Sequence, residues 1–258
     1  KEVGNALKLN SSLKSIELDN IQINNNIAEL LLNSLPFNNS VENLKISNVT
    51  NLSEYITPLK EVINFSTSIE QLVISHQKEG ESILTSLGPV LAKNTKIKEL
   101  VILNNHLDSF GTRAIAQIIE DNEVIAHINV SHQLLDNKHF KDISTALSKN
   151  TTLESLSLNN TQLDKTSIEG LTTALVDNKH LRTLNMTHND FSDQTLIALV
   201  DLLKKSHILE NINLSHGSID RYFAVELAKT FNQNPQLKSL DLNDNNLKTT
   251  REKNSIKY

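Results

Sequence analysis

The chain has 258 residues, enough to bury a sizeable core or to form two ordinary domains. Its formal net charge of −5, without a long Lys/Arg cluster, argues against a nucleic-acid-binding surface and against a basic membrane-surface helix. The sequence has no cysteine and no run of about 18 apolar residues, which argues against disulfides, thiolate metal sites, cysteine nucleophiles and a membrane-spanning helix.

The first twelve residues match the second half of a unit that repeats further along the chain. Val3 and Leu7 are spaced as on one face of a helix, and Asn10 stands where later helices end. Residues 1–12 are therefore predicted to be a partial N-terminal repeat.

From residue 13 to residue 247 the chain repeats one pattern nine times, with a spacing of 28 residues. Its clearest copy, LESLSLNNTQL at residues 153–163, has the form L-x-x-L-x-L-x-x-T-x-L. Apolar and polar residues alternate in its first half, which predicts a short β-strand. The unbroken spacing predicts one repeat domain spanning residues 1–258. Units one to nine start at Leu13, Val41, Ile69, Ile97, Ile125, Leu153, Leu181, Leu209 and Leu237.

The second half of each unit predicts a helix. Apolar residues recur four apart, as at Leu171 and Leu175, and such pairs lie on one face of a helix. Most units carry an Asn three residues after the second of these. We expect this Asn to end the helix, since Asn tolerates left-handed backbone and can bond to nearby main chain. The residues concerned are Asn38, Asn94, Asn122, Asn150, Asn178 and Asn234.

This repeat resembles the ribonuclease-inhibitor-like class of leucine-rich repeats, in which L-x-x-L-x-L-x-x-N-x-L is followed by a helix. The resemblance covers almost the whole chain and implies an α/β solenoid, a horseshoe with a concave parallel sheet and convex helices. The chain departs from the family pattern at the ninth position of the unit, where only Asn105, Asn189 and Asn245 are Asn. We therefore expect turns that are less uniform than in a regular array.

One stretch of unit three breaks the pattern. SHQKEGES, residues 75–82, contains no apolar residue, and Glu79 stands where most units carry an apolar anchor. The preceding unit has Asn51 at that position, with Leu52 displaced by one residue. Two interpretations remain open, a loosened turn and an exposed loop adapted for a partner.

Position eight of the units is occupied mainly by Asn and His. Two hypotheses give these histidines a function. In the first, His188 and His216 share a metal ion, because they belong to adjacent units and neighbouring strands lie about 4.7–4.9 Å apart. In the second, the clustered histidines make a partner-binding surface sensitive to pH, because histidine titrates near neutral pH. The alternative is that polar side chains are simply required at the edge of the sheet. No third ligand is evident, so no metal site is predicted.

The residues between the strand leucines should face the concave side, because side chains alternate along a strand. Units three and four place Val73, Val101 and Leu103 there, whereas units five to eight place mostly Asn, Ser and Thr. An exposed aliphatic cluster within a polar surface is typical of a contact site, although β-propensity alone also favours Val in strands. The predicted partner-binding residues are Glu17, Asp19, Lys45, Val73, His76, Glu99, Val101, Leu103, Asn129, His132, Ser157, Asn185, His188, Asn213, His216 and Asp241.

The repeats end near Leu247, and residues 248–258 are predicted to be a tail with an incomplete cap. Repeat arrays need polar capping units at their ends. We therefore expect further residues, or a partner, at one or both ends of the array.

The sequence lacks the common phosphate-binding, nucleophile and zinc motifs, so we expect no enzymatic activity and no cofactor. The expected function is binding of a protein partner by a chain that is otherwise monomeric, without binding to nucleic acid or membrane. The family resemblance implies that it could inhibit or redirect an enzyme. The alternatives are the recognition part of a larger ligase or GTPase activator, and a cytoskeletal scaffold.

A cytoplasmic location is expected, because ten Asn-x-Ser/Thr triplets would attract glycans in a eukaryotic secretory pathway. The composition, rich in Asn and free of Cys, also resembles that of effectors from intracellular bacteria. Such an effector would act in the cytosol of its host.

Overall fold

The computed structural model describes residues 2–21, 27–230 and 233–247. The predicted tail, residues 248–258, lies outside this part of the chain. The helices are α1 (Glu2–Leu9), α2 (Ile27–Leu32), α3 (Ile56–Phe65), α4 (Gly80–Leu91), α5 (Ser109–Asp121), α6 (Phe140–Lys149), α7 (Lys165–Asp177), α8 (Asp193–Lys205) and α9 (Arg221–Lys229). The strands are β1 (Ser15–Asp19), β2 (Asn43–Ser47), β3 (Gln71–Ser75), β4 (Glu99–Leu103), β5 (His127–Asn129), β6 (Ser155–Ser157), β7 (Thr183–Asn185), β8 (Asn211–Asn213) and β9 (Ser239–Asp241).

These strands form one open parallel sheet whose spatial order is the order of the sequence, β1 to β9. Each strand pairs in register with the strand 28 residues further on, so that Leu156 lies beside Leu184. Parallel neighbours need a crossover connection, and in most units a helix supplies it. The predicted α/β solenoid is confirmed. We call the sheet face that points away from the helices the concave face.

The core lies between the sheet and the helices and runs through the whole array. Unit six is an example. Leu156 and Leu158 on the strand side and Leu171 and Leu175 on α7 are all at most 1% exposed. Each fully buried Leu contributes about 1.5–3 kcal/mol, so the repeated apolar positions dominate the stability of the array. Leu52, displaced by one residue in unit two, is also in the core at 2% exposure.

Position eight has left-handed backbone in every unit, with φ between 47° and 59°. The chain turns there from the sheet toward the helix. Asn, Asp and His tolerate this conformation better than most residues, which explains the composition of the column. It consists of Asn20, Asn48, His76, Asn104, His132, Asn160, His188, His216 and Asp244.

The Asn residues that end the helices are not left-handed, so that expectation was wrong. Asn178 has extended backbone, with φ −65° and ψ 139°. Its Oδ1 accepts the main-chain N–H groups of His180 and Leu181 at 2.8 and 2.9 Å. Its Nδ2 donates to the carbonyl oxygens of Leu147 and Asn150, in the preceding unit, at 2.6 and 3.0 Å. Wherever this position is Asn, the side chain therefore links its unit to the preceding one, whereas units two and seven carry Ser66 and Ser206 there and lack this amide link.

The SHQKEGES stretch forms a hydrogen-bonded turn, which contradicts the interpretation of a loosened turn, whereas the other interpretation, a loop adapted for a partner, stays a prediction. Gln77 is 1% exposed, and its Nε2 donates to the carbonyl oxygen of Ser75 at 2.7 Å. Its main-chain N–H donates to Oδ1 of Asn105 at 2.9 Å. The next helix begins at Gly80, which is buried against the main chain of Asn105, while Glu79 stays exposed.

The ninth position is less uniform than in a regular array, as expected. Its side-chain oxygen accepts the main-chain N–H of the same position in the preceding unit, as Asn189 does from Thr161 at 3.1 Å and Asn245 from Gly217 at 2.8 Å. Thr161 and Gly217 have no side-chain carbonyl with which to accept such a bond. Within the described residues, the series therefore begins only at unit three, after Ile21 and Val49, and it is interrupted between units five and six and between units seven and eight.

Candidate functional site

The strand register brings nine of the predicted partner-binding residues into one continuous column at position five. Each residue of this column lies beside the equivalent residue of the next strand, at the strand spacing of about 4.8 Å. The column runs across the middle of the concave face through Glu17, Lys45, Val73, Val101, Asn129, Ser157, Asn185, Asn213 and Asp241.

The N-terminal end of this face is charged. Lys45 and Glu17 form an ion pair between neighbouring strands. The hydrogen bond that Lys45 donates to Glu17 raises the pKa of Lys45, and the negative charges of Glu17 and Asp19 add to this, although burial opposes them. Because these side chains are largely exposed, the pair contributes little to stability and remains available to a charged partner.

The aliphatic centre of the face is more buried than the sequence implies. Val73 and Leu103 are half-buried, and Val101 is only 8% exposed, so the expectation that it is exposed was wrong. Val101 lies between Val73 and Asn129 on the adjacent strands, and these in-register neighbours cover it. Glu99, at the start of the same strand, accepts a hydrogen bond from Nε2 of Gln71 at 2.8 Å. The apolar surface offered to a partner therefore comes from Val73 and Leu103.

The C-terminal half of the face has a different architecture. Strands β1 to β4 have five residues each, whereas β5 to β9 have three. In units five, seven, eight and nine, the Asn or Asp side chain at position five accepts the main-chain N–H two residues further on. Asn129 accepts it from Ser131 at 3.1 Å, and Asn213 from Ser215 at 3.0 Å. Side-chain oxygens thus take over hydrogen bonds where the paired strands end.

The histidines at position eight are not gathered into one cluster. His76 and His132 are separated from each other by Asn104, whereas His188 and His216 stack with ring centroids 4.2 Å apart and an interplanar angle of 21°. Nε2 of His216 lies 3.2 Å from Oδ2 of Asp244 in the last unit.

This stacking does not favour the metal hypothesis. The lone pairs of two nearly parallel imidazole rings point alongside each other and do not converge on one ion. Within the described residues, no group of three or more His, Asp or Glu side chains could hold a metal ion. The left-handed backbone already accounts for His at this position. A role for the stacked pair in contact with a partner stays a prediction.

A carboxylate pair lies beside the SHQKEGES turn. Asp108 caps α5 by accepting the N–H groups of Phe110 and Gly111 at 2.8 and 3.2 Å. Burial raises the pKa of Asp108, but hydrogen bonds from Gly111, Glu81 and Phe110 outweigh burial and lower it. The hydrogen bond to Asp108 raises the pKa of Glu81, and burial and the charge of Asp108 add to this. The two carboxyl groups therefore influence each other across the boundary between units three and four.

Two exposed aromatic residues were missed by the sequence analysis. Phe37 and Phe65 are 63% and 65% exposed and stand at the same position of units one and two, near the helix ends. Nζ of Lys8 lies 4.5 Å from the ring centroid of Phe37. Aromatic side chains often dominate protein interfaces. The signal was present in the sequence, because the later units carry Lys, Asp or Gln at this position.

The helical face also exposes apolar side chains, including Val176, Ile197 and Val225 at 45%, 48% and 49%. A groove between α8 and α9 is lined by Ile197, Val200 and Phe223, with Asp201 at its rim. No helix in the described part of the chain has the length and apolar character needed to cross a membrane.

Comparison with known proteins identifies solved structures with a similar fold, but it identifies no family. No family model matches the chain, and no curated protein matches it. Among solved structures, the leucine-rich repeat-containing protein LegL7 from Legionella pneumophila has 14% identity and a TM-score of 0.58, with 93% of this chain and 86% of that chain covered.

Two further solved structures agree with this result. A Bacteroides fragilis protein has 12% identity and a TM-score of 0.55, with 88% of this chain and 75% of that chain covered. A chain of the yeast Rad7–Elc1 complex has 15% identity and a TM-score of 0.51, with 93% and 66% covered. The fold and the register thus define the chain as a leucine-rich repeat solenoid.

Proposed function

We propose that this chain is a non-catalytic protein-binding module, of the ribonuclease-inhibitor-like class of leucine-rich repeats. It recognises its partner through the concave face and the adjoining edge loops. The observation that carries this proposal is the ordered change of chemistry across the concave face, from unit one to unit eight. Charged side chains in units one and two give way to the half-buried Val73 and Leu103, and then to uncharged amides and hydroxyls.

A preformed sheet is suited to this role. Each strand of the described array is fixed by its neighbours, and most units are also tied to the preceding unit by a buried Asn, so the concave face loses little conformational entropy on binding. The mixed surface favours a protein over a small molecule, because it extends over many strands. The yeast neighbour of similar fold was solved in a complex of two proteins, which is consistent with this use of the fold.

The finer proposal is that the bound protein is an enzyme that becomes inhibited or redirected, in the cytoplasm or in the cytosol of a host. Support for this comes from the resemblance of the repeat, and the Asn-rich, Cys-free composition supports a bacterial effector. The solved structure of LegL7 supports the comparison at the level of the fold.

The test compares two double variants in affinity purification from cell extract followed by mass spectrometry. Val73→Asp/Leu103→Asp places charge in the centre of the concave face. Val176→Asp/Val225→Asp places the same charge on α7 and α9, where both side chains are about half exposed. Partners that bind the wild type should be lost from the first variant and retained by the second.

Circular dichroism must first show that both variants are folded, since Val73 and Leu103 are half-buried. If the concave variant unfolds, Val73→Thr/Leu103→Thr repeats the comparison with smaller changes. Retention of every partner by a folded concave variant would refute the proposed binding face.

A further inference from the structure

Four amide groups on the concave face of units five to eight are oriented in one sense. Oδ1 of Asn129 accepts the N–H of Ser131 at 3.1 Å, and Oδ1 of Asn159 accepts that of Thr187 at 3.2 Å. Asn213 accepts from Ser215 at 3.0 Å in the same manner, and Asn185 makes a longer contact with Thr187 at 3.4 Å. A main-chain N–H can only donate, so these contacts fix which side-chain atom is the oxygen.

The nitrogen atoms of the same four amides have no acceptor. Within the described residues, no hydrogen bond involves Nδ2 of Asn129, Asn159, Asn185 or Asn213, although all four side chains are half-buried on the concave face. Each Nδ2 carries two N–H donors. The face therefore offers a surplus of donors, because its best acceptors are already engaged by main chain.

This part of the face also lacks charge. Positions three, five and seven of units five to eight contain no Lys, Arg, Asp or Glu, and their only ionisable side chain is His127. An anionic group bound there would lose water without meeting a counter-charge, which is costly. A neutral acceptor, such as a main-chain carbonyl, loses much less on desolvation and can be satisfied by an amide N–H.

We infer that units five to eight bind an uncharged, extended segment of the partner protein, whose main-chain carbonyl oxygens accept hydrogen bonds from Asn129, Asn159, Asn185 and Asn213. This inference rests on the proposed protein-binding function and specifies the chemistry of one part of it. A segment rich in proline fits best, because its carbonyls are not paired within the segment and proline has no competing N–H.

The test uses three blocked peptides of about eight residues, which extend about 25 Å as polyproline II and cover strands about 4.8 Å apart. One alternates Pro and Ala, one Glu and Ala, and one Lys and Ala. Each is titrated into the full chain, labelled with ¹⁵N at Asn, and the side-chain NH₂ resonances are followed by NMR.

The decisive variant is Asn185→Asp/Asn213→Asp. Asp keeps the oxygen that accepts the main-chain N–H, as Asp241 does naturally from Asn243 at 2.9 Å, but it removes the donors. The control Asn5→Asp/Asn64→Asp makes the same change in charge at exposed residues of α1 and α3.

The Pro–Ala peptide should shift the NH₂ signals of the four Asn residues, and its affinity should fall at least tenfold in the decisive variant but not in the control. Absence of shifts at millimolar peptide, preference for the Glu–Ala or Lys–Ala peptide, or unchanged affinity in the decisive variant would each overturn the inference. If these shifts occur but no cellular partner is lost from the Val73→Asp/Leu103→Asp variant, the proposed function fails and the inference about the bound peptide stands. If partners are lost from that variant but the peptide causes no shifts, the inference fails and the proposed function stands.

Discussion

Asn178 is 1% exposed and makes four hydrogen bonds, two within its own return loop and two to the preceding unit. Most of the equivalent Asn residues bond in the same way, so one side chain per unit replaces several main-chain partners. A buried polar group left without a partner costs about 1–3 kcal/mol. The column is therefore a major specific contribution to stability, in addition to the leucines.

Asn178→Ala should lower the free energy of unfolding by about 2–4 kcal/mol, because it leaves two N–H groups and two carbonyls in the core without their partner. Urea denaturation followed by circular dichroism measures this change. Asn64→Ala, at an exposed position of α3, is the matched control and should change stability by less than about 0.5 kcal/mol. Equal effects of the two substitutions would show that the buried hydrogen bonds matter little.

Individual residues were predicted unevenly from the sequence. The positions of Asn178 and of the position-eight histidines were found by counting, but their roles were not. The 28-residue spacing determines the position of a residue within its unit. Its backbone angles depend instead on where the folded chain turns between the strand and the helix. The burial of Val101 was missed for a related reason. Strand alternation predicts on which face of the sheet a side chain lies, but it does not predict how much of that side chain is shielded by residues on the adjacent strands.

Helix α4 shows how one element adjusts to an irregular neighbour. It begins at Gly80, one position earlier in its unit than α5 does in the next. A Cβ on Gly80 would lie 2.0 Å from the carbonyl oxygen of Asn105, so only glycine permits this close approach. The loss of an apolar anchor at Glu79 is therefore accommodated by main-chain packing between units three and four.

Gly80→Ala should destabilise the protein by more than about 2 kcal/mol, because the clash is with main chain and cannot be relieved by a rotamer change. Gly88→Ala, in the same helix, is the opposite case. Its Cβ would meet that of Ala114 at an ordinary 3.4 Å. The higher helix propensity of Ala should be offset by crowding from the following Pro89, so stability should change by less than about 1 kcal/mol. Thermal unfolding distinguishes the two, and similar midpoints would contradict the proposed packing.

Helices and strands were predictable as elements, because their apolar residues recur at fixed positions in the unit. The SHQKEGES turn was not, because it has no apolar residue and is held by the amide of Gln77 and by the packing of Gly80. The shorter length of the strands from β5 onward could not be predicted either. It depends on side-chain oxygens that accept main-chain N–H groups in place of the neighbouring strand, and the pattern of apolar residues contains no information about these bonds.

The whole molecule is built from interchangeable units, because the register is the same at every strand pair. Deleting residues 153–180 joins Thr152 to Leu181, which occupies the same position as Leu153. The shortened chain should fold with one strand fewer and a lower free energy of unfolding, since stability in repeat arrays is roughly additive.

Size-exclusion chromatography and circular dichroism should show a monomeric, folded product. Deleting residues 153–166 is the control, because it removes β6 and the start of α7 and leaves two helices in succession. That chain should aggregate or unfold. If both deletions behave alike, the units are not independent building blocks.

The fold of the molecule could be predicted almost completely from the 28-residue spacing, and the face on which a partner binds could be proposed from it. The chemistry of that face could not. Whether Asn185 offers donors or acceptors depends on the N–H of Thr187, a contact that exists only in the folded chain.

The interruptions of the ninth-position series also divide the described array mechanically. Hydrogen bonds of this series join units three to five, six to seven and eight to nine, but within the described residues none joins units one to three or crosses the boundaries at Thr161 and Gly217. A chain stretched from its ends should separate first at these boundaries, and units three to five should come apart as one block rather than unit by unit.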